Sequence, residues 1–488
     1  MKLNRQYRLL FAATVALFFS FLLTSCGGGG GGSSGSSVTV NLTASASEIH
    51  VGQAFYIAWS SENATSCKAS GSTDWNGTVA TSGTQWFAPT SAQTLNLALT
   101  CTGSKGSATR QVSITVNAEP LTTVANQVPI VVDKGPTGNE INLPYVSVTI
   151  CRPGTSVCQT IDHILLDTGS YGLRVFGPGV INPSLALPSV TSASGKALAE
   201  CAQFVSGYTW GSVNSADIKM ANETASSVPI EIIGNSDSAF SSVPSDCSSA
   251  GVNIGSVQSF GANGVLGVGL FKEDCGTACV SQAIAGMYYE CSGTSCSATK
   301  VSLDKQVANP VAFFAENNNG VTLALSSVPA GGAATLTGTL TFGVGTQSNN
   351  QLTGKTVYRA DEYGNFKTTY KSQTYASSFL DSGSNGLFFP DSSIPKCSVS
   401  SDFFCPTSVL TLTAINSAYD DSASGQISFF IESVDNLGDV AAASIGGDTS
   451  TFGFKAFDWG LPFFFGRTVF VTVDGASTPG GSGPFWAY

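Results

Sequence analysis

The feature that most constrains this chain is a short pattern that occurs twice. ILLDTGSYGLRVF, from Ile164 to Phe176, returns as FLDSGSNGLFF, from Phe379 to Phe389. Aligned, LDTGSYGL and LDSGSNGL share Leu, Asp, Gly, Ser, Gly and Leu, and differ conservatively at Thr168/Ser382. Each copy has an apolar run, an acid, a small hydroxyl residue, a glycine, a second hydroxyl and more apolar residues. Internal repetition reports repeated supersecondary structure. Two related halves are therefore expected, each delivering one carboxylate, Asp167 or Asp381, from the end of a buried strand.

A chain of 488 residues is too long for one ordinary domain. It carries 42% hydrophobic and only 11% charged residues with 54 glycines, a balance that suits a β-rich exported protein. A formal charge of −11 supplies no basic surface for nucleic acid. Only His50 and His163 are histidines, so a Ser-His-Asp site, a Cys-His site or a histidine-rich metal centre would have to draw on these two. His163 precedes Asp167 in the same extended run and reads as a strand side chain. No cofactor and no metal are expected.

Residues 1–25 read as an export signal: Lys2, Arg5 and Arg8, then LLFAATVALFFSFLL. The segment ends in LTSC followed by glycine, which resembles the lipobox of bacterial lipoproteins. That resemblance implies lipidation of Cys26, a membrane contact through that anchor, and a place on the bacterial cell envelope, with Gly27 favouring the outer membrane. Residues 26–37 are a Gly/Ser tether. Residues 38–117 alternate short strands with turns, as in a β-sandwich. With Trp59, Cys67 and Cys101 they look like an immunoglobulin-like module, in which Trp75 and Trp86 read as core or turn packing. Residues 118–138 read as a linker or leading strand. Then NLPYVSVTICRPGTSVCQTIDHILLDTGS reads as a hairpin turning at Pro153–Gly154 and running into Asp167. Short strands follow, with Asn309 to Asn319 as the best candidate for a short helix.

Without Cys26, twelve cysteines remain in an exported chain facing an oxidising compartment, and disulfides are the default. Neighbour pairing gives Cys67–Cys101, Cys151–Cys158, Cys201–Cys247, Cys275–Cys279, Cys291–Cys296 and Cys397–Cys405. The tight spacing of Cys275 and Cys279 leaves connectivity open among Cys275, Cys279, Cys291 and Cys296. Zinc held by cysteines is the rival arrangement.

From Asn139 to Asp474 the order of motifs is similar to that of pepsin-like aspartic proteases. A hairpin leads to Asp-Thr-Gly-Ser, and a GVLGVG strand follows. NPVAFFAENNN and LTFGVGT lead into the second half, Asp-Ser-Gly-Ser returns, and LPFFFGRTVFVTVD closes the series. The chain also resembles bacterial lipoproteins of unknown function that carry the same DTGS…DSGS pair. The resemblance implies an all-β chain: an immunoglobulin-like β-sandwich, then a bilobal pepsin-like double barrel over 139–488, with lobes near 139–335 and 336–488. It also implies a cleft between lobes, covered by a hairpin flap.

Two carboxylates held about 3 Å apart cannot both ionise, so one proton is shared. One then acts as base toward water while the other donates to a peptide carbonyl. Thr168, Ser170, Ser382 and Ser384 offer hydrogen bonds that orient the pair, and Gly169 and Gly383 let backbone approach it. The sequence departs from the family in four places. Tyr208, the possible flap residue, follows Gly207 instead of preceding a glycine. Arg174 replaces an aromatic, Pro462 stands where glycine is usual, and no pro-segment precedes the first lobe unless 118–140 serves.

These observations lead to an expectation of a lipid-anchored aspartic endopeptidase acting on a peptide or protein substrate. The alternative is a catalytically inactive pepsin-fold lipoprotein that serves as a binding, inhibitor or adhesion protein.

Overall fold

The computed structural model describes residues 37–118 and 125–488, apart from 236, 330, 399, 438–439 and 453–454. The export segment 1–25, Cys26 and all but the end of the tether lie outside the described residues. Among the described residues no helix is long and apolar enough to cross a membrane.

The chain divides into two units, with a break at residues 121–122. The first unit is made of two sheets. Thr39–Ala44, Phe55–Glu62 and Ser82–Phe87 form one; Glu48–His50, Gly106–Asn117, Gln93–Gly103, Ser66–Ser70 and Gly77–Val79 form the other. Alternation does the work here, since Leu95, Leu97 and Leu99 of one strand all turn into a core with Phe55, Ile57, Trp75 and Ile114. Cys67 and Cys101 are direct partners on neighbouring strands of the five-stranded sheet. An immunoglobulin domain uses its disulfide to tie its two sheets together. This bond staples one sheet instead, so the module departs from that pattern.

In the second unit, runs such as Ile164–Leu166 and Val265–Leu266 are apolar at every position because both faces of their strands are covered. Six strands close on themselves: Pro144–Cys151, Cys158–Asp167, Gly264–Val268, Tyr171–Phe176, Glu223–Ile233 and Gly207–Met220, the last returning to pair with the first. Closure removes the sheet edges and makes the first lobe a barrel. Each fully buried Leu or Val of this core contributes roughly 1.5–3 kcal/mol.

The second lobe repeats the local topology around its acid. Cys158–Asp167 runs parallel to Gly264–Val268, which runs antiparallel to Tyr171–Phe176, itself parallel to Glu223–Ile233. In the same order Gln373–Leu380 is parallel to Asp458–Trp459, antiparallel to Leu387–Phe388, itself parallel to Gly446–Gly447. Glycine recurs where chains cross. A Cβ on Gly267 would lie 2.5 Å from the Tyr171 nitrogen, and one on its counterpart Gly460 would lie 2.0 Å from the Gly386 oxygen.

Two expectations are corrected and one choice is resolved. Of linker or leading strand, the described part of 118–138 holds a strand, since Gln127–Val132 lies between Pro144–Cys151 and Leu336–Phe342. The lobe boundary at 335–336 cuts a hairpin, Gly320–Leu325 with Leu336–Phe342. The expected helix at Asn309–Asn319 is one 3₁₀ turn, Pro310–Phe313, started by the Asn309 side chain accepting from the Val311 N–H. All twelve cysteines of the described residues are paired as neighbours, Cys275–Cys279 and Cys291–Cys296 included, which leaves no thiolate for zinc. Six disulfides belong to a chain that matures in an oxidising compartment.

Candidate active site

Each acid sits where an apolar strand gives way to a tight turn. The Gly169 N–H donates to Asp167 Oδ1 at 2.7 Å, and the Ser170 hydroxyl donates to Asp167 Oδ2. In the second copy Asp381 Oδ1 accepts from the N–H groups of Gly383 at 2.9 Å and Ser384 at 3.2 Å. The Ser384 hydroxyl lies 3.2 Å from Asp381 Oδ2. The Ser170 and Ser384 hydroxyls thus each reach the carboxylate of their own loop.

Thr168 and Ser382 have a different task from the expected one. The Thr168 hydroxyl donates to the Leu380 carbonyl at 2.9 Å and accepts from the Ser382 N–H at 3.0 Å. Reciprocally, the Ser382 hydroxyl donates to the Leu166 carbonyl at 2.7 Å and accepts from the Thr168 N–H at 3.1 Å. Four buried hydrogen bonds thus clasp the two loops, each hydroxyl serving as donor and acceptor at once. The clasp sets the second acid against the first loop: a Cβ on Gly169 would lie 2.5 Å from Asp381 Cγ. Gly169 is glycine because the opposing carboxylate occupies the space of a side chain. Both acids are 0% exposed.

Behind the first loop, Arg174 is buried among three carboxylates. It pairs with Glu200 through Nη2 and Nε, with Asp274 at 3.0 Å and with Glu231 at 3.5 Å, and donates from Nη1 to the Tyr171 carbonyl at 2.8 Å. The Tyr288 hydroxyl donates to Asp274 at 2.6 Å and accepts from the Val307 N–H at 2.7 Å. Burial pushes the Glu231 carboxyl up to about 8 against the pull of Arg174, and pushes Glu200 well above the usual carboxylate range. One guanidinium cannot neutralise three ionised acids, so protons are retained. The sequence signalled Arg174 only as a departure; its acidic partners come from three separate segments.

A cavity of ≈ 290 Å³ opens between this cluster and the acid loop, with Ser170, Tyr171, Arg174, Glu200, Phe204 and Asp274 in its walls. The hairpin Ala197–Phe204/Gly207–Met220 borders it, and Val205 at the hairpin's turn packs against the second-lobe cluster of Phe388, Phe403 and Ile445. Tyr208 is committed elsewhere: its side chain is buried with Trp210, Phe240 and Tyr289, beside the Cys201–Cys247 bond. His163 lies in a bulge of the acid strand between Asp162 at 2.8 Å and Asp133 at 3.3 Å. Burial opposes its charge, yet these two carboxylates raise it to about 10, so it is a structural cation.

The closed first barrel, the repeated strand order and the clasped acid loops define the class, an all-β protein with the pepsin-like double-barrel architecture. Within that class the chain belongs to the family described as "Protein of unknown function (DUF3443)", which matches residues 122–488. Among solved structures it is similar to the aspartic proteinase from Irpex lacteus, at 16% identity and a TM-score of 0.41, over 75% of this chain and 97% of that one. Comparison with curated proteins returns no match.

Proposed function

We propose that this chain is an aspartic endopeptidase in which Asp167 and Asp381 form one catalytic dyad. The observation that carries the reading is the reciprocal Thr168–Ser382 clasp, which sets Asp381 against Gly169. Two acids so placed share a proton. The ionised member takes a proton from a bound water as its oxygen attacks the peptide carbonyl carbon, while the protonated member donates to the carbonyl oxygen. Collapse of the tetrahedral intermediate then returns a proton to the departing amine. The retained hydroxyls of Ser170 and Ser384 support this role, since each orients one of the reacting carboxylates. The substrate is an extended stretch of peptide or protein, and the enzyme works from the cell envelope, tethered by lipid on Cys26. Labelled fatty acid retained by the wild type and absent from Cys26→Ser tests the anchor.

A second reading is favoured by two observations: both acids are fully buried, and Val205 packs against the opposite lobe. A protein that stayed closed in this way would bind a partner without turnover. Cleavage of a denatured protein separates the two. Cleavage at acidic to mildly acidic pH that disappears in Asp167→Asn and in Asp381→Asn supports the peptidase. Absence of cleavage at every pH in the wild type supports the binding protein.

A further inference from the structure

The cavity beside the first acid loop carries charge that the repeat does not require. Arg174 and Phe388 hold the same place in the two copies, each on the strand that follows its acid loop. Phe388 is fully buried in an apolar cluster with Phe403 and Ile445, so hydrocarbon satisfies the strand plan there. A buried ion cluster is often no more stable than apolar packing of the same volume. The fold therefore gives no reason for Arg174 and its carboxyls, whereas the cavity does. Arg174, Glu200 and Asp274 all stand in the wall of that ≈ 290 Å³ space, together with Ser170, whose hydroxyl bonds to Asp167.

The wall is amphipathic. Glu200, Ala202 and Phe204 alternate along one face of the strand Ala197–Phe204, so the lining passes from acid to hydrocarbon over two residues, about 7 Å. Ile284 and Met287 add hydrocarbon from another segment, and Asp246 adds an exposed carboxylate. Arg174 is thus the basic residue of a lining that holds three acids, with Glu231 behind it at 3.5 Å. Glu231 is 0% exposed, and its Oε1 is a buried acceptor without a donor. Burial works against the charge of Arg174, yet Glu200, Asp274 and Glu231 raise its guanidinium above the usual value. Burial alone would lower an arginine, so the potential that the carboxyls set up there is negative. A second cation would take the place of a proton that the cluster retains, and the buried charge would then balance.

We propose that this cavity takes the lysine or arginine side chain of a peptide substrate, its stem along Ala202 and Phe204 and its positive head against Glu200 and Asp274. Such side chains bury a hydrocarbon stem while their charged head seeks polar company, which is the pattern of this wall. The carboxyls keep acceptor capacity for the head, since each offers about four lone-pair sites. The preference for a cation stands on the cavity and its lining, whereas its place in turnover rests on the peptidase reading.

The test uses the full chain with ¹³C-labelled methionine methyls. Met287 lines the cavity and Met220 lies in the core of the first barrel, which makes Met220 an internal control. Met287→Leu assigns the first resonance. Butylguanidinium should shift the Met287 methyl and leave that of Met220 in place, and butylurea, its neutral counterpart, should bind at least about tenfold more weakly. Glu200→Gln should weaken the guanidinium by about tenfold. Should that variant not fold, Ala250→Phe, which puts a ring into the cavity and leaves every charge in place, should abolish the shift. Equal binding of the two probes, or no shift with either at about 50 mM, overturns the proposal. In the cleavage assay, lysine in place of norleucine at one position near the scissile bond should raise kcat/KM by at least about tenfold, and Glu200→Gln should shrink that ratio. A wild type that cleaves with no such preference at any position, or a ratio unchanged in Glu200→Gln, overturns the substrate role. A wild type that cleaves nothing refutes the peptidase reading, and the methyl titration still decides whether the cavity takes a cation.

Discussion

The two lobes use one strand plan but put their buried charge in different places. In the first, Arg174 stands opposite Val265; at the matching pair of the second, Phe388 stands opposite Asp458. One lobe therefore buries a cation and gathers Glu200, Glu231 and Asp274 around it. The other buries an acid against the serine of its own loop and fills the surrounding core with aromatic rings, where Phe389 and Phe457 stack at 4.9 Å. The comparison teaches that the clasp and the acids demand symmetry, whereas the layer behind them does not. Each lobe's second layer is free to set the electrostatics of its own acid.

The largest test removes what the lobes share. Asp167→Asn and Asp381→Asn should each lower kcat/KM for a denatured protein by about 10²–10⁴-fold while leaving thermal unfolding nearly unchanged. A loss confined to one variant would break the equivalence of the two loops. Next in size is the first lobe's charge cluster. Arg174→Met removes the one cation that this buried acidic cluster surrounds and should cost about 3–5 kcal/mol in denaturant unfolding.

The cluster also predicts a pH dependence with a definite sign. Glu200 and Glu231 are held above their unfolded values, Glu231 at about 8, so the folded state binds more protons across that interval. Their contribution is complete below the unfolded value near 4.5 and is lost as pH rises, for Glu231 through about 8. Wild-type stability should decline over that window, and Glu231→Gln should flatten the decline. The smallest effect is expected at Tyr208. With its ring in a satellite cluster, Tyr208→Phe should change kcat/KM by less than about tenfold. A larger drop would show that the hairpin rearranges over the acids during turnover.

The acids were legible in the sequence because a repeated loop leaves a repeated string, and the need for glycine at 169 could be reasoned from close approach. The task of Thr168 and Ser382 was not legible. A hydroxyl next to an acid looks the same whether it serves that acid or the backbone of the opposite loop, and only the fold brings Leu166 and Leu380 into reach. Asp458 was hidden for a related reason: the first copy has valine at its place, so comparing the repeats gives no hint of it. The Cys67–Cys101 pair was legible as a bond, but its place within one sheet was not. Spacing says that two cysteines meet, and not whether they lie in one sheet or join two.

The central claim is that two distant loops make one site. Calorimetric titration of the full chain with a statine-type peptide, whose hydroxyl takes the position of the attacking water, tests it most directly. The account predicts one peptide bound per chain, with affinity reduced both in Asp167→Asn and in Asp381→Asn. Binding that survives unchanged in either variant, or no binding to the wild type, would contradict it.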